Sequence, residues 1–208
     1  MTGEGSRIVV VKIGGSLLLW PQFPDRLQAL LGGLGEDRPV LVVGGGRAAD
    51  FVRELDSLHR IGDKQSHRLA LRALDLTASV VASIVPALRV VTETRKMAEA
   101  FHDGLIPVFA PRSFLENIDS QGPNPLQASW DVTSDSIAAR LAVHVGSQRL
   151  ILLKSQGMGR STSALDAART GIVDPCFPAV SANIRLIELV NLRANPPTVE
   201  TIESAKTT

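Results

Sequence analysis

The sequence predicts an α/β fold, a three-layer αβα sandwich around a mostly parallel central sheet. Short, continuously apolar runs alternate with longer stretches of helical periodicity, the pattern of strands joined by crossover helices. Two of the runs, Ile8-Val9-Val10-Val11-Lys12-Ile13 and Val40-Leu41-Val42-Val43, pass straight into the glycines Gly14-Gly15 and Gly44-Gly45-Gly46. Each glycine turn leads into a helical pattern. Repetition of that unit places both turns at one edge of the sheet, beyond the carboxyl ends of its strands, where open α/β sheets bind ligands.

Taken in order, Arg7 to Ile13 reads as a strand buried on both faces, because its valines are continuous rather than alternating. A helix over Pro24 to Leu34 is closed by Gly32, Gly33 and Gly35. Val40 to Val43 is the second buried strand, and Ala48, Phe51, Val52 and Leu55 give Arg47 to Leu58 helical spacing. His67 to Val85 is a long helix, apolar on most sides, whereas a surface helix shows a single apolar stripe. That excess predicts burial in the sandwich or contact with a second subunit. Arg89 to Val91 is a short strand, Lys96 to His102 a short helix and Ile106 to Phe109 a strand after Gly104. Pro111 to Trp130 reads mainly as loop. Ser134 to Val145 is a helix and Arg149 to Leu153 a strand, followed by a glycine- and serine-rich segment, Ser155 to Thr170, expected to be mobile. Ala182 to Leu192 holds a last strand or two, and the polar tail after Asn195 is either frayed or a short terminal element.

The composition narrows the functional classes. With 44% hydrophobic residues but only 4% aromatic and no tyrosine, the core must be aliphatic. The 22 basic and 21 acidic residues nearly cancel, and no basic stripe with interleaved aromatics occurs, which argues against nucleic acid as a partner. The single cysteine, Cys176, excludes an intramolecular disulfide and fits a reducing compartment. Met1 to Arg7 carries no signal-peptide pattern, and no apolar run reaches the ~20 residues of a membrane span, so the expectation is a cytoplasmic protein with a small-molecule substrate.

Backbone N–H groups in two glycine cradles can hold phosphate. Gly14, Gly15, Ser16, Gly44, Gly45 and Gly46 are the candidates, and Lys12 offers an ammonium that could follow charge between two phosphoryl groups. A P-loop is absent, and so is the dinucleotide fingerprint. The alternative is a tight βα turn needing small residues, with Lys12 at a solvated strand end. In Trp130-Asp131-Val132-Thr133-Ser134-Asp135, Thr133 or Ser134 is a plausible N-cap. Asp135 then falls in the first turn, where it could orient a lysine or a magnesium ion, or be an ordinary first-turn acid. Lys154 ends the strand Leu150 to Leu153 beside another glycine turn and is a candidate second cation. His67 reads as a capping or packing histidine. His59, His102 and His144 form no metal motif, and Cys176 has no activating neighbour, so no protein metal site is expected. Asp75 interrupts an apolar helix and could face a bound amine or be paired across a subunit contact.

In these motifs, in their order and spacing from Lys12 to about Pro178, the chain resembles the amino acid kinase superfamily, which includes acetylglutamate, aspartate, uridylate and isopentenyl phosphate kinases. The run Ser129 to Ala138, with Val173-Asp174-Pro175-Cys176-Phe177-Pro178 downstream, is most similar to the aminomethyl-furanmethanol phosphate kinase branch of methanofuran biosynthesis. The resemblance implies ATP and Mg2+ as cofactors, and Lys12, Asp135 and Lys154 as the catalytic set. Lys12 would bridge donor and acceptor phosphates, Asp135 would orient the lysines, and the glycines would serve the acceptor side with Ser16, Thr133 and Ser134. Lys154, Ser155, Gly157 and Gly159 would hold the nucleotide, and Asp75 or Asp131 the substrate amine. Where many members carry Thr-Asp-Val-Asp-Gly-Val, this chain reads Lys154-Ser155-Gln156-Gly157-Met158, without the acids. The resemblance implies one domain over 1–208, with an acceptor-side half to about 125 and a nucleotide-side half beyond, working as a homodimer or larger homo-oligomer. A carboxylate or nucleoside monophosphate acceptor, or a non-catalytic nucleotide- or anion-binding regulator of the same fold, are the competing expectations.

Overall fold

The computed structural model describes residues 7–159 and 163–204. The polar start before residue 7, the middle of the segment expected to be mobile (160–162) and the last four residues lie outside the described residues. Seven strands form one sheet: β1 Ile8–Ile13, β2 Arg38–Val43, β3 Leu88–Val91, β4 Ile106–Phe109, β5 Arg149–Lys154, β6 Leu186–Asn191 and β7 Thr198–Ile202. Their order is β3-β4-β2-β1-β5-β6-β7, and every neighbouring pair is parallel except β6 and β7. The helices are α1 Phe23–Gly32, α2 Gly46–His59, α3 Asp63–Ile84, α4 Lys96–His102, α5 Arg112–Asn117, α6 Ser134–His144, α7 Ala164–Arg169 and α8 Phe177–Val180.

The continuous valines of β1 have the predicted cause: both faces are covered. Val9, Val11 and Ile13 pack with Leu41, Val43, Ile151 and Leu153 against Phe23 and Leu27 of α1. Val10 packs with Val40, Val42, Leu150 and Leu152 against Ile137, Ala138 and Leu141 of α6. These are the two apolar layers of an αβα sandwich. Helix α3 serves both, with Leu71 and Leu74 in one cluster and Ala78 and Val81 in the other. It still leaves Leu76, Val80 and Ile84 exposed at 56%, 43% and 44%. Its all-round apolarity therefore has two sources, and among the described residues no helix is long and apolar enough to cross a membrane.

Two stretches carry regular structure beyond the sequence reading. Pro111 to Trp130 is mainly loop, as read, but α5 and a 3₁₀ turn over Asp119–Gln121 lie in its first half. Asp75 of α3 accepts the Arg112 N–H at 3.3 Å, so the helix start is organised from a distant residue, and Phe114 and Leu115 anchor the other side. The segment expected to be mobile contains α7. Ser163 caps it by accepting the Asp166 N–H at 3.1 Å, and Ala164 and Ala167 are fully buried. Of the two alternatives for the tail, the structure has the short terminal element, β7, which pairs Ile202 with Ile187 at the sheet edge.

Candidate active site

Strand alternation decides where Lys12 points. It shares a face with Val10, the face that α6 covers, so Lys12 ends buried, at 4% exposure, rather than solvated. In register Lys12 lies opposite Leu152 of β5, so Lys154, on from Leu152 by one full pleat, emerges on the same face. The start of α6 lies over both. Thr133 is its N-cap, 3.5 Å from the Asp135 nitrogen, and the first turn carries the Asp135 carboxylate between the lysines. Lys12 Nζ is 2.9 Å from Oδ1, and Lys154 Nζ lies 2.9 and 2.8 Å from Oδ1 and Oδ2.

Burial pushes the Lys12 ammonium down to about 8, with Lys154 adding repulsion and Asp135 opposing both. Burial alone would raise Asp135, but the two ammonium groups outweigh it and hold the carboxyl below the usual carboxylate range. Two cations on one carboxylate leave one positive charge unmatched inside the triad. A bound anion would offset a surplus of that kind.

The glycine turns meet each other. A Cβ on Gly15 would sit 2.3 Å from the Gly46 nitrogen and 2.5 Å from its Cα, and Gly46 has φ +50°, so the turns pack backbone on backbone. This corrects part of the sequence reading. The N–H groups of Gly14 and Gly44 donate to Leu153 and Ile13 carbonyls, each at 2.8 Å, and so extend the sheet instead of serving a ligand. Gly15, Ser16, Gly44, Gly45 and Gly46, with Thr133 and Ser134, line a cavity of about 310 Å³. Its walls include Leu71, Leu74, Val132 and Ile137, and Asp50, Arg53, His67 and Trp130 also line it. The Trp130 indole N–H donates to Asp56 at 2.7 Å, and the Arg53 guanidinium lies 4.6 Å from the indole centroid, so this aromatic wall is held from both sides.

The structure does not bring Asp75 and Asp131 to this cavity. Asp75 pairs with Arg112 at 3.0 Å, and Asp131 is exposed outside the lining. The carboxylate that does line it is Asp50, 3.3 Å from Arg53. Gly46, Ala49, Asp50 and Arg53 follow the i, i+3, i+4, i+7 spacing of one helix face, so projecting α2 from its glycine turn would have found them. His67 lines the cavity as well as packing, with Nδ1 3.2 Å from the Ser129 carbonyl and burial lowering its pKa. Ser155 Oγ is 3.2 Å from Ser16 Oγ, joining the turns after β1 and β5. Beyond it Glu200 of β7 accepts the Met158 N–H at 3.2 Å and crowds Gly157, while Gly159 turns with φ +66°. Among the described residues no group of three or more His, Cys, Asp or Glu could hold a metal ion.

The profile described as the amino acid kinase family matches residues 7–157. The chain belongs to the amino acid kinase family. Among curated relatives, the (5-(aminomethyl)furan-3-yl)methyl phosphate kinase of Methanocaldococcus jannaschii is 31% identical over 133 residues, covering 62% of this chain. The match spans 57% of the length of that relative. Solved structures show the same fold. The UMP kinase of Bacillus anthracis superposes with a TM-score of 0.62 at 14% identity, covering 90% of this chain and 88% of that one. The uridylate kinase of Archaeoglobus fulgidus gives 0.52 at 20% identity, covering 75% of this chain and 66% of that one.

Proposed function

We propose that this chain is an ATP-dependent small-molecule kinase that transfers the γ-phosphoryl group to a phosphate monoester, of the aminomethyl-furanmethanol phosphate type used in methanofuran biosynthesis. The observation that carries the reading is the Lys12–Asp135–Lys154 triad, set where the two glycine turns meet. Family membership and the name of the Methanocaldococcus jannaschii relative support the reaction class and the acceptor.

The nucleotide lies on the β5 to β7 side of the sheet, beyond Ser155, and the acceptor in the cavity on the β1 and β2 side. An acceptor phosphate oxygen attacks the γ-phosphorus, and the bond to the β-phosphate oxygen breaks as ADP leaves. Lys12 and Lys154 stabilise the charge that moves between the two groups, and Asp135 keeps both ammonium groups on that line. A phosphate oxygen is already ionised near neutral pH, so no general base is needed. Magnesium would arrive with the nucleotide phosphates, which suit its oxygen-only chemistry. In the acceptor cavity the phosphate end meets Gly15, Gly46 and Ser134, the ring lies along Leu74 and Trp130, and Asp50 receives the ammonium.

The protein works in the cytoplasm as at least a homodimer, joined through the exposed Leu76, Val80 and Ile84 stripe of α3. The test of function is a magnesium–ATP turnover assay with (5-(aminomethyl)furan-3-yl)methyl phosphate beside UMP, acetylglutamate and isopentenyl phosphate. Turnover confined to the furan phosphate is expected. Turnover confined to another acceptor removes the acceptor assignment, and turnover with none removes the reading as a kinase of these acceptors.

A further inference from the structure

We propose that Asp174 is a positioning residue of the transfer centre, clamping the first turn of α6 so that Asp135 stays between Lys12 and Lys154. The proposal rests on reading the triad as the site of phosphoryl transfer. Asp174 is remote in sequence from α6 and sits in the short link between α7 and α8, at 6% exposure. One of its oxygens, Oδ2, accepts the Thr133 N–H at 3.0 Å, the Thr133 hydroxyl at 2.8 Å and the Ser136 N–H at 2.9 Å. The other accepts the Ser136 hydroxyl, the Cys176 N–H at 3.1 Å and the Phe177 N–H at 3.0 Å. Thr133 and Ser136 bracket Asp135, so the carboxylate holds the backbone on both sides of the residue that orders the lysines.

A helix start has N–H groups with no partner inside the helix, and a local cap usually serves them. Here the local cap is weak: the Thr133 hydroxyl is 3.5 Å from the Asp135 nitrogen and is itself turned to Asp174. The clamp comes instead from a buried charge. Burial raises the Asp174 pKa, hydrogen bonds from Ser136 and Thr133 pull it back, and the neighbouring charge of Asp135 adds to the rise. A second carboxylate buried next to Asp135 is an expensive way to cap a helix. What it supplies in exchange is a fixed position for Asp135, the coordinate on which transfer depends. Because Oδ1 of the same carboxylate holds the start of α8, the α7–α8 link reaches the first turn of α6 through one side chain.

The test is Asp174→Asn, which keeps the shape but presents an amide donor to groups that are donors themselves. Turnover should fall by about tenfold or more, while KM for ATP and acceptor stays within about twofold, the pattern of a lost transition-state arrangement. A second readout needs no activity: the 13Cε resonance of Lys12, assigned with Lys12→Arg, followed against pH. The charged groups that face Lys12 are Asp135 from α6 and Lys154 from β5, with Asp174 behind Asp135. If Asp135 drifts, Lys12 loses the charge that holds its proton, and its midpoint in Asp174→Asn must move to lower pH than in the wild type. An unchanged Lys12 titration, or unchanged turnover, overturns the proposal. Should the variant fail to fold, Ser136→Ala removes one contact of the clamp and must move Lys12 in the same direction, or the proposal fails. If the wild type phosphorylates none of the acceptors, the function reading fails alone, and the Lys12 titration still decides the role of Asp174.

Discussion

Lys12 carries opposite expectations for activity and for stability. Its ammonium is held at about 8 against an ordinary value of 10.5, so the free protein sheds that proton early as pH rises. Because kcat/KM reports the free enzyme, it should decline as pH rises through about 8. The unfolded chain keeps the proton up to about 10.5, so between these values it binds more protons than the folded one. The contribution of Lys12 to stability therefore rises with pH across the window in which activity falls. Parallel rate and urea-unfolding profiles check this, and a common rise or fall would contradict it. Lys12→Ala removes the ammonium and should cost orders of magnitude in kcat with the fold retained. The second residue-scale expectation concerns Asp50, at the cavity 3.3 Å from Arg53. A solvent-accessible ion pair is worth up to about 1 kcal/mol, so Asp50→Asn should raise KM for the aminomethyl acceptor about fivefold. KM for an analogue with methyl in place of aminomethyl should be unaffected. Equal effects on both would show that Asp50 does not meet the amine.

At the scale of elements, the contact between the two glycine turns is the joint of the site. A Cβ on Gly15 would press into the Gly46 backbone at 2.3 Å, where no side chain can rotate away. Gly15→Ala should cost about 2–3 kcal/mol by overpacking, lowering Tm by roughly 5–10 °C, and should distort the cavity floor. Gly32→Ala is the contrast. It ends α1 with nothing within 4 Å of a new Cβ, so loss of unfolded-chain entropy should leave Tm unchanged or raise it slightly. Calorimetry of the pair separates a glycine required by contact from one that is not.

For the whole molecule, one sheet carries both Lys12 and Lys154, with β1 and β5 as its central seam. The outward stripe Leu76, Val80 and Ile84 on α3 lies at i, i+4, i+8 spacing, and a two-fold axis would set it against its own copy. Val80→Asp should therefore shift the protein toward monomer in analytical ultracentrifugation. A wild type that sediments as a monomer would instead make the stripe an ordinary exposed face.

What the sequence determined by itself was local and periodic. Continuous valines required a covered sheet, glycines at strand ends located the turns, and Thr133 before Asp135 announced a helix start. Lys12, Asp135 and Lys154 were legible because each sits at the end of an element whose direction the pattern reveals. The tertiary structure decided whatever depends on partners distant along the chain. Asp75 was ambiguous in sequence, and the fold pairs it with Arg112 at the start of α5, outside the cavity lining. Asp174 had no local motif because its donors belong to α6. Gly14 and Gly44 looked like phosphate donors until the sheet register engaged their N–H groups. The physical reason is the same in each case. Backbone propensity and apolar period act over a few residues, whereas a buried polar group takes whichever partner the packed fold brings within hydrogen-bonding distance.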